Sequence, residues 1–217
     1  MSLNQIFSSF PWLSLSIWMP IISGLIIIYL GRNTSSVSID QIKIVSLVAS
    51  VVSFLITLVP VLKFDETKDA FQLVERFSWI DRFKIEYFVG IDGISLWFLP
   101  LTTFMTIVVV IAAWEIIKKR VPLYMGSFLI LSGLMVGVFS ALDGLLFYLF
   151  FEATLIPMYI IIGTWGGPRK VYAAFKFFLY TFLGSILALL AIIYLYKDSG
   201  SFSLIDWHIL PISLPVQ

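Results

Sequence analysis

The chain has 217 residues, 60% of them apolar, 17% aromatic and only 12% charged, with a mean hydropathy of +1.02. Soluble domains run at about 45–50% apolar and about 25% charged, and a core of this size cannot hide the surplus apolar surface. A water-soluble enzyme, a nucleic-acid binder and a disordered chain are therefore excluded, and an integral membrane protein is left. The 14 basic and 13 acidic residues nearly cancel, so the information lies in where the charges sit. The absence of cysteine removes disulfides, thiolate metal sites and iron–sulfur clusters from this chain. One histidine makes neither a His-cluster metal site nor a haem pair.

Six apolar stretches are long enough to cross a hydrocarbon core, which takes about 20 helical residues: 13–30, 44–62, 96–117, 123–142, 145–163 and 171–196. The pattern predicts an all-α polytopic membrane protein. Its parts are two helices in 1–62, an extracytoplasmic loop in 63–93, four helices in 94–196 and an extracytoplasmic tail in 197–217. The opening ten residues lack a basic n-region and no small-residue cleavage site follows, so the first span is expected to be a retained helix rather than a signal peptide. Basic residues set the orientation. With the N-terminus outside, the inner loops hold Arg32 and Lys43, then Lys118, Lys119 and Arg120, then Arg169 and Lys170. The long loop also carries basic residues, but acids accompany them.

In that loop, apolar and charged residues alternate over 71–77 and 83–88, which predicts two short strands around Asp81-Arg82. Two isolated strands are barely stable without a partner surface. Asp92, with Ser95 three residues on, suits a helix N-cap. Glu115 and Lys119 stand i, i+4 and are expected to form an interfacial ion pair. Asp143 is expected in a turn, and His208 in a solvated loop. Trp18, Trp97, Trp114, Trp165 and Trp207 fall near span ends or in flanking segments, where aromatic belts form.

Glu152 is different, because it lies about eight residues inside the fifth span with apolar turns on both sides. A centred charge costs about 2.5–3.5 kcal/mol, while each large apolar residue of the span returns about 0.3–0.6 kcal/mol. The helix still inserts, and an intramembrane carboxylate is a functional candidate by default; a glutamate that only hydrogen-bonds two helices together is the competing reading. Tyr148 lies one turn before it, Tyr159 two turns after and Gly163 three turns after, all on one stripe. The two phenols are expected to donate to the carboxyl group or hold water beside it. Pro157 cannot donate to the carbonyl of Ala153, so the backbone opens about one turn from the glutamate. Hydrocarbon opposes the charge, so movement of a nearby cation would load or discharge a proton there.

Lys176 is the natural candidate for that cation. It stands about 8 Å into the sixth span and Glu152 about 18 Å from the same surface. Two readings stay open: an in-membrane relay partner, or an anchor snorkelling to the interface. Gly184 and Ala188 form a small-xxx-small pair suited to close helix packing. The turn Trp165-Gly166-Gly167-Pro168-Arg169-Lys170 is tight, with no phosphate-loop spacing.

The stretch FEATLIPMYIIIGTWGGPRKVYAAFKFFLYTFLGS, residues 151–185, closely resembles the chain M (subunit 4) family of antiporter-like membrane subunits of NADH–quinone oxidoreductase, respiratory complex I. The stretch FVGIDGISLWFLPLTT, residues 88–103, is similar to the entry to that family's third helix. Subunits of multisubunit cation/proton antiporters and membrane-bound hydrogenases share the fold. The resemblance implies an antiporter-like fold with inverted repeats, and proton translocation coupled to electron transfer from NADH to a quinone. It implies that Glu152 matches the family's membrane glutamate in a proton half-channel, and that Lys176 falls where bacterial-type members carry a lysine in the next helix. No cofactor is expected on this chain; NADH, FMN, iron–sulfur clusters and quinone belong to partner subunits. The expected partners are the other membrane-arm subunits, the lipid bilayer and the C-terminal part of the same subunit. Complete members are roughly twice as long and carry two inverted repeats, so the sequence is expected to be the N-terminal portion of a longer or split subunit. A bacterial inner membrane is expected, with the mitochondrial inner membrane as the alternative. A subunit of a sodium/proton antiporter and a passive membrane scaffold are the rival functions.

Overall fold

A computed structural model of the chain describes residues 10–32, 38–68, 70–208 and 210. In chain order the elements are α1 (Trp12–Arg32), α2 (Ile39–Lys63), β1 (Gln72–Ile80), β2 (Ile85–Ile91), α3 (Ser95–Ile116), α4 (Val121–Ser140), α5 (Gly144–Trp165), α6 (Lys170–Ser199) and a single turn, α7 (Leu204–Trp207). Among the described residues six helices, α1 to α6, are long and apolar enough to cross a membrane.

Polar ends shift the helix boundaries away from the apolar pattern. α2 starts five residues before its apolar run because Ser38 and Gln41 form a reciprocal capping box, with the Ser38 N–H donating to the Gln41 side chain at 2.9 Å. α6 has 30 residues and stops at Gly200, whose φ of 70° is the left-handed conformation that ends helices. At about 1.5 Å per residue α6 is about 45 Å long, more than a hydrocarbon core requires. α3 ends at Ile116 with Ile117 as its cap. Lys119 is therefore off the helix, and the ion pair expected between Glu115 and Lys119 is not formed among the described residues. The Asp92 cap is formed: its Oδ1 accepts the N–H of Ser95 at 2.7 Å and of Ile94 at 3.1 Å.

α4 is the central helix and touches α1, α2, α3, α5 and β2. Its contact with α1 is backbone on backbone. A Cβ on Gly24 would come within 2.6 Å of the Gly126 carbonyl oxygen, and one on Gly133 within 2.5 Å of the Ile17 carbonyl oxygen. Small residues allow this approach, which lipid-exposed helices need because the tails offer no hydrophobic drive. By contrast, among the described residues nothing lies within 4 Å of a Cβ built on Gly184, and Ala188 beside it is exposed. The small-xxx-small pair of α6 packs on no described helix.

One apolar cluster fills the end of the bundle nearest the hairpin, around Leu13, Ile17, Val89, Leu99, Val136 and Phe150. A second fills the far end, around Ile27, Ile42, Val110, Met125 and Leu129. Between α2 and α3 the buried hydroxyls of Thr57 and Thr103 meet at 2.8 Å. Ser46, Ser50, Ser53 and Thr57 each donate to a carbonyl of their own helix three or four residues back, which satisfies them without water.

The hairpin forms as the alternation predicts, with Arg76 opposite Phe88, Phe77 opposite Tyr87 and Ser78 opposite Glu86. Asp81–Phe83 make a single 3-10 turn, and Lys84 closes it in the left-handed region. The partner surface that two lone strands lack is supplied by the bundle: Phe88, Val89 and Ile91 are buried, and Leu142 donates its N–H to the Phe88 carbonyl at 2.8 Å. After α6 the chain folds back over the start of α5, where Trp207 sits against Gly144. Two of the span-end tryptophans hydrogen-bond to backbone. The Trp207 indole N–H donates to the Ser201 carbonyl at 2.9 Å, and that of Trp165 to the Lys119 carbonyl at 3.1 Å. His208 is exposed as expected, its Nδ1 2.8 Å from the Leu204 carbonyl. The end of the expected tail, 211–217, lies outside the described residues.

Candidate functional site: a carboxyl group between two membrane helices

α5 begins at Asp143, whose Oδ1 accepts the N–H groups of Leu145 and Leu146, both at 2.9 Å. That cap starts the helix, whose stripe of Tyr148, Glu152 and Tyr159 runs along α6 with both tyrosines packed on α6 residues. At one end of the stripe Tyr148 packs with Ile85, Ile192 and Phe202. At the other, the Tyr159 ring meets Phe175 and Phe178 edge-on, with centroids 6.0 and 5.9 Å apart. One turn further on, a Cβ built on Gly163 would stand 3.6 Å from that of Ala174. Glu152 lies between these contacts, about 12 Å along α5 from Gly144.

The Oε1 atom of Glu152 is buried and has no hydrogen-bond partner among the described residues. A charged oxygen left unpaired in apolar surroundings is strongly disfavoured. An oxygen so placed is open to a polar partner. Pro157, buried one turn on, brings no N–H to the carbonyl of Ala153, which adds an acceptor close to the acid.

Neither phenol reaches Glu152: no hydrogen bond joins it to Tyr148 or Tyr159. The shared stripe is real, but each ring is drawn off by its own apolar partners, and helical side chains lean over the preceding turn rather than straight along the axis. Lys176 is likewise not brought to Glu152. It is exposed on α6, about 200° round the helix from Ala174 and so on the face turned away from α5. Its Nζ lies between the rings of Tyr172 and Tyr180, 6.0 and 5.8 Å from their centroids, a cation–π arrangement. These residues line an open depression of about 640 Å³ with Arg169 and Phe177.

Two acids that matter at the hairpin end escape a reading by position. Asp143, expected as a plain turn residue, is only 2% exposed, and its Oδ2 also accepts the Glu86 N–H from β2 at 3.3 Å. Burial pushes its carboxyl group up, against the pull of these N–H groups. Glu75, on β1, binds the first amides of α1 through the N–H of Leu13 at 2.8 Å and of Ser14 at 3.0 Å. The residue pattern that makes an N-cap, Asp143 followed by an apolar run, was visible for the first; nothing local marks the second.

Six packed helices long and apolar enough to span a membrane, with a docked hairpin, give the chain an antiporter-like membrane fold. Residues 141–209 match the family described as NADH:quinone oxidoreductase/Mrp antiporter, transmembrane. The chain is similar to proteins named NADH-quinone oxidoreductase subunit M. It is 44% identical over 196 residues to the Rickettsia prowazekii (strain Madrid E) protein of that name, covering 89% of this chain and 39% of that protein. The Rhodobacter capsulatus subunit M is 45% identical over 189 residues, 87% of this chain and 36% of that one. In fold it matches a chain of respiratory complex I from Thermus thermophilus with bound NADH, with a TM-score of 0.79 and 24% identity over 94% of this chain and 40% of that chain. The chain thus spans well under half the length of these relatives.

Proposed function

We propose that this chain is part of a membrane subunit that carries protons across the bilayer as NADH–quinone oxidoreductase passes electrons from NADH to quinone, with Glu152 as the protonatable group. The observation that carries the reading is the buried, unpartnered Oε1 of Glu152 between α5 and α6, in a chain similar to named subunits of that enzyme. Pro157 supports the site through the free Ala153 carbonyl, and Tyr148 and Tyr159 wall it on either side. Lys176 acts from the open face of α6, through the part of the subunit beyond this chain, and modulates the charge of Glu152 without touching it. The redox groups, FMN, iron–sulfur clusters and the sites for NADH and quinone, belong to partner subunits. The other membrane-arm subunits, the remaining length of this subunit and the lipid bilayer are its neighbours.

The membrane is a bacterial inner membrane, with the N-terminus and hairpin on its outer face. The basic residues support that orientation, because Lys118, Lys119, Arg120, Arg169 and Lys170 all lie in the two turns at the far end from the hairpin. The experiment is Glu152→Gln in the assembled complex in sealed vesicles. The proton-to-electron ratio should collapse while NADH is still oxidised and the helix stays inserted. An unchanged ratio removes this carboxyl group from the path and leaves the scaffold role. A sodium/proton antiporter subunit is the second reading, favoured by the double description of the matching family; transport that requires sodium would select it.

A further inference from the structure

The two ends of the α5–α6 pair are held differently. At the far end a tight turn joins the helices. At the hairpin end, residues 200–207 form a strap that crosses back over the start of α5. Gly144 donates its N–H to the Phe202 carbonyl at 2.8 Å, and Leu204 donates to the Leu142 carbonyl at 2.9 Å. The Trp207 ring lies so close to Gly144 that an added Cβ would come within 2.2 Å of it. Leu142, on the other side of Asp143, donates to Phe88 of β2. Asp143 stands at the crossing. One of its oxygens caps α5 through Leu145 and Leu146, and the other takes the Glu86 N–H. Among the described residues no other helix packs extensively on α6, which rests on α5 and the strap.

We infer that Asp143 is a positioning residue, tying the hairpin end of α5 to β2 and the strap and so setting where Glu152 stands against α6. The inference rests on the reading of Glu152 as the protonatable group. Glu152 is nine residues from Asp143 along one helix, about 13 Å, so a shift at the cap carries to the carboxyl group as a movement against α6. A carboxylate suits the position because it accepts three N–H groups in two directions and donates none. An apolar replacement takes this acceptor from three N–H groups, of which that of Leu146 is buried.

The test uses the intact complex, carrying the full subunit, in sealed vesicles, with Asp143→Ala, Asp143→Asn and Gly144→Ala beside Glu152→Gln. Two quantities are read: the proton-to-electron ratio, and deuterium uptake by the peptide 199–208. Asp143→Ala should lower the ratio by at least about two-fold, since misplacing a reacting group costs rate steeply. It should speed exchange in the strap by about ten-fold. Asp143→Asn keeps the Oδ1 acceptor for the cap and should hold more than half of the ratio. A purely structural aspartate would lower assembly yield and leave the ratio of assembled complexes unchanged, which overturns the inference if Glu152→Gln does lower it. If Asp143→Ala does not assemble, Gly144→Ala strikes the same crossing through Trp207; a wild-type ratio and wild-type exchange in that variant overturn the inference. If Glu152→Gln itself leaves the ratio unchanged, the functional reading fails, and exchange decides the tie: faster uptake in 199–208 supports it and unchanged uptake overturns it.

Discussion

Glu75 Oε1 accepts the N–H of Leu13 at 2.8 Å, joining residues 62 positions apart. Its other oxygen takes the N–H and the hydroxyl of Ser14, and the Ser14 hydroxyl also lies 3.0 Å from the Tyr87 phenol. A helix start leaves four N–H groups without partners, and a carboxylate there also complements the helix dipole. Burial pushes the Tyr87 phenol up, so it stays protonated. Glu75→Ala should destabilise the fold by about 1–2 kcal/mol and Glu75→Gln by less, measured as thermal unfolding in detergent.

The contact between α1 and α4 leaves no room for a methyl group. Gly133→Ala would drive a Cβ to within 2.5 Å of the Ile17 carbonyl oxygen, a backbone atom that cannot rotate aside. Overpacking of this kind costs about 1–3 kcal/mol. Gly93→Ala, with nothing within 4 Å, should stay within about 0.5 kcal/mol of wild type. The two variants belong in one unfolding series, and equal melting temperatures would contradict the close approach.

The absence of native cysteine makes the pairing of α5 with α6 directly testable. The 3.6 Å between a Cβ at Gly163 and that of Ala174 falls in the disulfide range, whose mean Cβ separation is about 3.8 Å. The double variant Gly163→Cys with Ala174→Cys should cross-link under mild oxidation, seen as a reducible shift in gel mobility. Either single variant should not.

Acid should loosen the loop between α2 and α3 and the start of α3. Hydrogen bonds from the Thr67 hydroxyl and from Lys68, with the Thr67 N–H, hold the Asp65 carboxyl at about 2, below its ordinary 3.8. At Asp92 burial opposes the charge, but the N–H of Ser95, its hydroxyl and the N–H of Ile94 together outweigh it, and that carboxyl is also held down. A lowered folded value means that the unfolded chain binds more protons in the window between the two values. The stabilisation is therefore present above 3.8 and is lost as pH falls towards 2. Trp97, which shares a cavity with Asp92 and Lys68, gives a fluorescence signal for the transition. Asp65→Asn with Asp92→Asn should flatten that response.

The spans, the hairpin and the candidate acid were legible because each depends on neighbours in the chain. Twenty apolar residues must be helical in lipid whatever they pack on, and alternation over 71–77 marks strands. Glu152 stands out because it interrupts an apolar run. The phenol contacts failed for the opposite reason. Tyr148 and Tyr159 do share the stripe of Glu152, but Phe175, Phe178 and Ile192 come from another helix and take the rings. The ion pair between Glu115 and Lys119 failed because the spacing holds only while the helix continues, and α3 stops at Ile116.

Composition and order along the chain determined that six helices among the described residues are long and apolar enough to cross a membrane, and which carboxyl group interrupts such a helix. Tertiary structure alone decided what surrounds that group: that Tyr148 and Tyr159 turn to partners on α6, that Lys176 lies on the other face of that helix, and that Asp143 is a buried tie and Glu75 a half-buried one rather than turn and loop acids. The reason is that hydrophobic transfer is a property of each residue and sums along the chain. A hydrogen bond or a ring contact depends on distance and direction between segments, and these exist only once the helices have packed.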